Sequence, residues 1–232
     1  MKKTNLSIIS FLFLGFLLTF NTGCSKTEDL AVTVTDLDGN VYHTVTIGTQ
    51  IWMVENLRTT KYNDGTAIPL VTGNTAWTEL SSPGYCWYKN DASTYKNTYG
   101  ALYNWYAVGT GKLAPTGWHI PTDAEWATLI TFLGGESIAG NKLKETGTVN
   151  WLTSYTSGTN ETGFTALPGG YRSPLDGMYG GIGSGGNFWS STLKVNSIFA
   201  YDTFMAYDSP KASKSGNVKE FGQSVRCIRD SQ

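Results

Sequence analysis

Histidine and cysteine are scarce in this chain of 232 residues, which holds two of the first and three of the second. The histidines, His43 and His119, belong to no H-x-x-x-H or H-x-x-E-H pair. A zinc site would have to be assembled from distant carboxylates or the cysteines. No activated serine or cysteine context accompanies either imidazole, as a nucleophilic triad would need. There is no G-K-[ST] loop and no G-x-S-x-G elbow. Charged residues make up only 15% of the chain, and no block of Lys and Arg could track a phosphate backbone, which argues against nucleic acid as a partner. The longest mostly apolar run, Ile8 to Phe20, is too short to span a bilayer comfortably. No internal repeat at a solenoid or propeller period is present.

What that run does fit is the core of a signal peptide, with Lys2 and Lys3 as its basic head. It ends at "NTGC", which resembles a bacterial lipoprotein cleavage site with Asn21 where an aliphatic residue is usual; an ordinary secretory signal followed by a stray cysteine is the alternative. On the lipoprotein reading residues 1–23 are removed, Cys24 carries the acyl chains, and residues 24–32 form a polar tether. Several chains make attachment effectively stable. "SKTEDL" resembles the acidic signal that sends some Bacteroidota lipoproteins to the cell surface, although a solvated tether would look the same. The expected location is the cell envelope, as an outer-membrane lipoprotein open to surface exposure.

The remaining chain has 15 basic and 18 acidic residues. With Cys24 lipidated, Cys86 and Cys227 remain, an even number in an oxidising compartment, and a disulfide between them is expected. It would close a loop of about 140 residues and stabilise by about 3–5 kcal/mol; two buried free thiols are the alternative.

Residues 31–70 alternate as short strands with turns at Asp38-Gly39, Gly48 and Asp64-Gly65. "DLDGN" at 36–40 reads as a hairpin turn, because its spacing lacks the Gly and Glu of a calcium loop. In the middle third "TAWTEL" reads as a helical turn, "GYCWYK" as a strand, and "YGALYNWYAV" as a short helix. "TDAEW" opens the best-defined helix. Thr122 and Glu125 have the capping-box spacing, Trp126, Leu129, Ile130 and Leu133 form one apolar face, and Gly134-Gly135 is the stop. A shorter helix over "IAGNKLKETG" follows. "GFTALPGGYRS", "NFWSST", "SIFAYDTFMAYD" and "QSVRCIRD" read as strands, separated by "DGMYGGIGSGG" and the polar turn "SPKASKSGN". Strands, then helices, then strands argue an α+β single domain.

Gly181, Gly183 and Gly186 spell G-x-G-x-x-G, but no helix follows, so a turning glycine loop is the reading. His119 reads as a core or hydrogen-bonding histidine. Glu125, Glu145, Glu161 and Asp176 are candidates by type for a carboxylate pair, with Glu125 already committed to the cap. The aromatics offer more. Glycines should bring "YRSPLDGMYGGIGSGGNFW" to the surface, making Tyr171, Arg172, Asp176, Tyr179, Asn187 and Trp189 the candidate ligand-binding residues.

Taken together and in order, "DLDGNVYHTVTIGTQIWMVENLRTTKYNDGTAI", "YCWYKND", "YGALYNWYAV", "GWHIPTDAEWATL", "GFTALPGGYRS", "FWSST" and "SVRCIRD" resemble the Fibrobacter succinogenes major paralogous domain, over residues 33–232. That resemblance implies secreted or lipid-anchored bacterial proteins, and it speaks to ancestry more than activity. More distantly, "GWHIPTDAEW" with the later glycine-rich region and "SVRCIRD" is similar to the formylglycine-generating sulfatase-modifying enzymes. This implies a C-type-lectin-like fold of antiparallel strands with two or three short helices. The reactive cysteine pair of those enzymes has no close counterpart here, and the calcium-dependent sugar motifs of C-type lectins are missing. The expectation is therefore a binding or adhesion domain without catalytic activity or cofactor, with a glycan or a cell-surface protein as ligand. A diverged enzyme on the formylglycine scaffold and a structural envelope lipoprotein are the alternatives.

Overall fold

A computed structural model describes residues 1, 33–153 and 158–230. The expected signal peptide, the lipidation site Cys24 and the tether lie outside the described residues. The chain divides into two units, Met1–Leu30 and Ala31–Gln232, and the fold below is that of the second.

Its elements run β1 (Thr33–Thr35), β2 (Val41–Ile47), β3 (Gln50–Met53), α1 (Asn74–Thr78), β4 (Tyr85–Cys86), a 3-10 turn (Tyr88–Asn90), α2 (Ala92–Tyr99), β5 (Leu102–Tyr103) and α3 (Trp105–Val108). Then come β6 (Trp118–His119), α4 (Asp123–Phe132), α5 (Glu136–Leu143), β7 (Gly169–Arg172), β8 (Tyr179–Ile182), β9 (Gly185–Leu193), β10 (Phe199–Ala206), β11 (Ser213–Val218) and β12 (Ile228–Arg229). The named strands pair antiparallel throughout, in a five-stranded sheet β1-β2-β3-β12-β6, a three-stranded sheet β11-β10-β9, and the pairs β4-β5 and β7-β8. The C-terminal strand β12 thus lies between the N-terminal hairpin and β6, with Ile228 opposite both Trp52 and His119. This is an α+β domain, and it carries five helices among the described residues where two or three were expected.

Helix α4 forms for the reasons its sequence gives. The Thr122 hydroxyl accepts from the Glu125 amide, and the Glu125 carboxylate returns to the Thr122 amide at 2.7 Å. Trp126 and Leu129 are buried, and the chain turns off at Gly134 and Gly135, both at φ 99°. Helix α2 escaped the sequence because "ASTYKNTY" buries no residue and has no apolar face; its start is set by Asp91, whose side chain accepts from the Thr94 amide. The expected helix over "YGALYNWYAV" is instead β5 followed by α3. Tyr103 is drawn into pairing with Tyr85 and Gln223, and the Asn104 side chain caps the new helix through the Ala107 amide. Helix α5 stops at Leu143, four residues before Gly147, because Lys144 is extended.

Two segments taken for loops are strands. Ser213–Val218 pairs along its length with β10 as an edge strand, where polar and charged residues are expected. Tyr179–Ile182 completes a hairpin with β7, and the turn after it uses Gly181 and Gly183 at positive φ, as the glycine-loop reading requires.

Three apolar cores lie within this unit. One surrounds Tyr42, Met53, Tyr103, Trp189, Val225 and Cys227. A second joins Trp52, Trp126, Phe164 and Phe188, whose rings touch with centroids 4.9–6.2 Å apart. The third holds Trp77, Cys86, Tyr88 and Leu102. All three draw only on residues 34–228, so the unit has the cores needed to fold by itself. The expected disulfide is absent. Cys86 and Cys227 are free, buried thiols on β4 and beside β12, strands of different sheets, and each packs in a different core. Burial pushes the Cys86 thiol up to about 11 and raises Cys227 as well. Among the described residues no helix is long and apolar enough to cross a membrane.

Candidate functional site

The six residues proposed from sequence do not form one surface. Trp189 is fully buried, and its indole N–H donates to the Tyr103 carbonyl at 2.8 Å, so it cannot stack on a ligand. Strand β9 is buried on both faces there, with Phe188 also at 0% exposure, and alternation in the sequence could not reveal this. Asn187 is buried, and its carbonyl accepts from Ser224. Arg172 is buried as well. Its guanidinium donates to the carbonyls of Val71, Thr72, Gly73 and Gly177 and lies 4.6 Å over the Trp77 ring and 4.9 Å over Tyr179. It binds two loops of its own chain. Tyr179 is half-buried and donates to Asn90, whereas Asp176 is exposed and closes its own turn through the Met178 amide. Tyr171 packs half-exposed against Phe221.

His119 is a hydrogen-bonding histidine. Its Nδ1 lies 2.6 Å from Asp230 and its Nε2 2.8 Å from Glu125, the same carboxylate that completes the α4 cap. Partial burial works against the imidazolium, but the hydrogen bonds to Asp230 and Glu125 outweigh it and raise the pKa. With both nitrogens facing carboxylates the ring is a clasp between β6, β12 and α4, and neither nitrogen is free to take a substrate proton. A cleft of about 450 Å³ beside it is lined by Gln50, Ile51, Glu125, Thr128, Arg229 and Asp230. The other candidate carboxylates have separate partners: Glu145 accepts from Asn150 and Glu161 pairs with Lys142.

The "DLDGN" acids also serve the fold. Asp36 accepts from the Asp38 and Asn40 amides and the Tyr42 hydroxyl, and Asp38 from Thr60 and Lys61. Among the described residues no group of three or more His, Cys, Asp or Glu side chains is placed to hold a metal ion.

A site that the sequence reading missed lies over Tyr62. A cleft of about 500 Å³ is lined by Tyr62, Thr66, Pro69, Ser82, Pro83, Thr110 and Lys112. Its walls are held firmly. Asp64 closes the turn by accepting from the Thr66 amide and hydroxyl, and it pairs with Lys112 at 2.9 Å. The Asn104 side chain ties the opposite wall through the Ser82 carbonyl and the Gly84 amide. Tyr62 is 8% exposed, and its buried hydroxyl lies against the Thr110 side chain. Burial also raises its pKa. Segments 62–69, 82–83 and 110–112 meet only through tertiary packing, and the one sequence cue was a Tyr just before an Asp-Gly turn.

Fold and cleft together define a compact, mostly antiparallel α+β domain with a hydroxyl-lined surface cleft. The chain belongs to the Fibrobacter succinogenes major domain family, whose model matches residues 45–229. Neither a curated protein nor a solved structure matches it.

Proposed function

We propose that the chain is a lipid-anchored extracytoplasmic binding domain without catalytic activity, and that its ligand is a neutral polyhydroxylated molecule, a glycan, held in the cleft over Tyr62. The observation that carries this is a cleft whose walls combine proline and aromatic carbon with the hydroxyls of Thr66, Ser82 and Thr110. Apolar surface with a few fixed polar groups is the chemistry that small-ligand sites use, and a sugar presents both faces. Cys24 would hold the domain on the outer membrane, and no cofactor is needed. We also infer a C-type-lectin-like arrangement, like that of the sulfatase-modifying enzymes. The support is the C-terminal strand β12 pairing beside the N-terminal hairpin.

A glycan array followed by calorimetry on the Ala31–Gln232 unit tests the ligand. Thr110→Val, which removes a hydroxyl from the cleft wall, should weaken binding of any array hit about ten-fold. An array without hits, or a hit indifferent to Thr110→Val, would overturn the site. Labelling with radioactive palmitate, compared between the full chain and Cys24→Ser, tests the anchor.

A further inference from the structure

The β9–β10 hairpin ends in an exposed apolar tip. Leu193 is 38% exposed, Val195 88%, Ile198 66% and Phe199 39%, within seven residues. The tip is well formed: the Lys194 amide donates to the Phe199 carbonyl at 3.0 Å, and Asn196 takes a positive φ of 51° to turn the chain. Below it sits a collar of aromatic and cationic groups. The Lys194 ammonium lies 5.9 Å from the Phe199 ring centre and 5.3 Å from Tyr201, and Lys214 lies 3.9 Å from Tyr201. Gly216 lets the Lys194 side chain cross the edge strand, since a Cβ there would meet its Cε at 2.2 Å. Asp123 pairs with Lys214, and Asp202 on the same sheet is buried.

We propose that this hairpin docks on a lipid bilayer carrying anionic headgroups, with Val195 and Ile198 entering the acyl boundary and Tyr201, Lys194 and Lys214 at headgroup depth. An apolar end above a layer of tyrosine and lysine matches the layering of the bilayer interface, where amphipathic rings and snorkelling lysines settle. Lys194, which forms no salt bridge among the described residues, also supplies charge complementary to anionic lipid, whereas Lys214 is paired with Asp123. This does not depend on the cleft over Tyr62.

The test uses the Ala31–Gln232 unit, so that no acyl chain contributes. Val195→Cys labelled with an environment-sensitive fluorophore should brighten and shift to the blue on vesicles of phosphatidylcholine and phosphatidylglycerol, and it should be quenched by lipids spin-labelled in the upper acyl chain. The same label at Val149→Cys, an exposed site elsewhere, should stay unchanged. Ile198→Asp should reduce vesicle co-sedimentation at least ten-fold, and Lys194→Ala about five-fold on anionic vesicles only; circular dichroism confirms that each variant folds. Absence of vesicle binding by the unaltered unit, or binding insensitive to Ile198→Asp, would overturn the proposal. So would a dimer in sedimentation equilibrium that Ile198→Asp dissolves while vesicles bind nothing, because the tip would then be a contact between copies of the chain.

Discussion

Two corners of the domain use charged side chains to join distant strands, and they do it in opposite ways. At the β6–β12–α4 corner His119 meets two carboxylates near solvent, and the helix cap beneath it involves residues three apart. At the β7–β8 hairpin Arg172 is buried and meets carbonyls from residues about a hundred positions away, with the Trp77 and Tyr179 rings against its guanidinium. The first corner is screened by water and sensitive to pH. The second is more enclosed, and losing the guanidinium leaves the buried Gly177 carbonyl and the partly buried carbonyls of Val71, Thr72 and Gly73 without that donor. Arg226 repeats the second pattern, donating to Asn56 and to the carbonyls of Met53 and Phe164, and burial pushes its pKa down to about 9.

The comparison breaks first at Arg172. Arg172→Leu should cost about 3–5 kcal/mol in chemical denaturation, and Arg172→Lys should recover only part, because one ammonium cannot serve four carbonyls at once. A cost below about 1 kcal/mol would show that the loops 71–74 and 173–178 hold without it. Thr122→Ala, which removes half of the capping box, should cost about 1 kcal/mol, the ordinary value of an N-cap. The smallest effect belongs to His119→Gln, a few tenths of a kcal/mol given how exposed the pair is. Its signature is pH. The folded pKa of His119 lies above the ordinary histidine value of 6.5, so its stabilising contribution is complete below that value and disappears as pH rises through the folded pKa. Thermal midpoints of the two proteins measured from pH 5 to 9 should therefore converge at the alkaline end. Parallel curves would remove the clasp from the account.

These corners also differ in how far they could be read in advance. Thr122, Glu125 and the buried Trp126 and Leu129 were legible because a capping box and an apolar face are local patterns. Arg172 and Trp189 were assigned to the surface on the strength of neighbouring glycines. Those glycines instead let backbones approach: a Cβ at Gly170 would lie 2.3 Å from the Gly180 carbonyl oxygen. The disulfide failed for a similar reason, since an even count of cysteines carries no information on which core receives each thiol. Helix α2 and the edge strand β11 were missed because neither buries an apolar stripe; a polar cap starts one and pairing with β10 imposes the other.

By itself, then, the sequence determined the α+β class, the turns at Asp38-Gly39 and Asp64-Gly65, the capped helix α4 and the family, all of which rest on residues within a few positions of one another or on phrases in fixed order. Tertiary structure alone decided which aromatics are core, that Cys86 and Cys227 stay apart, that Arg172 faces carbonyls, and that Tyr62, Ser82 and Thr110 share a cleft. Burial and hydrogen-bond satisfaction are properties of neighbours in space, and in this chain those neighbours come from segments tens to more than a hundred residues apart.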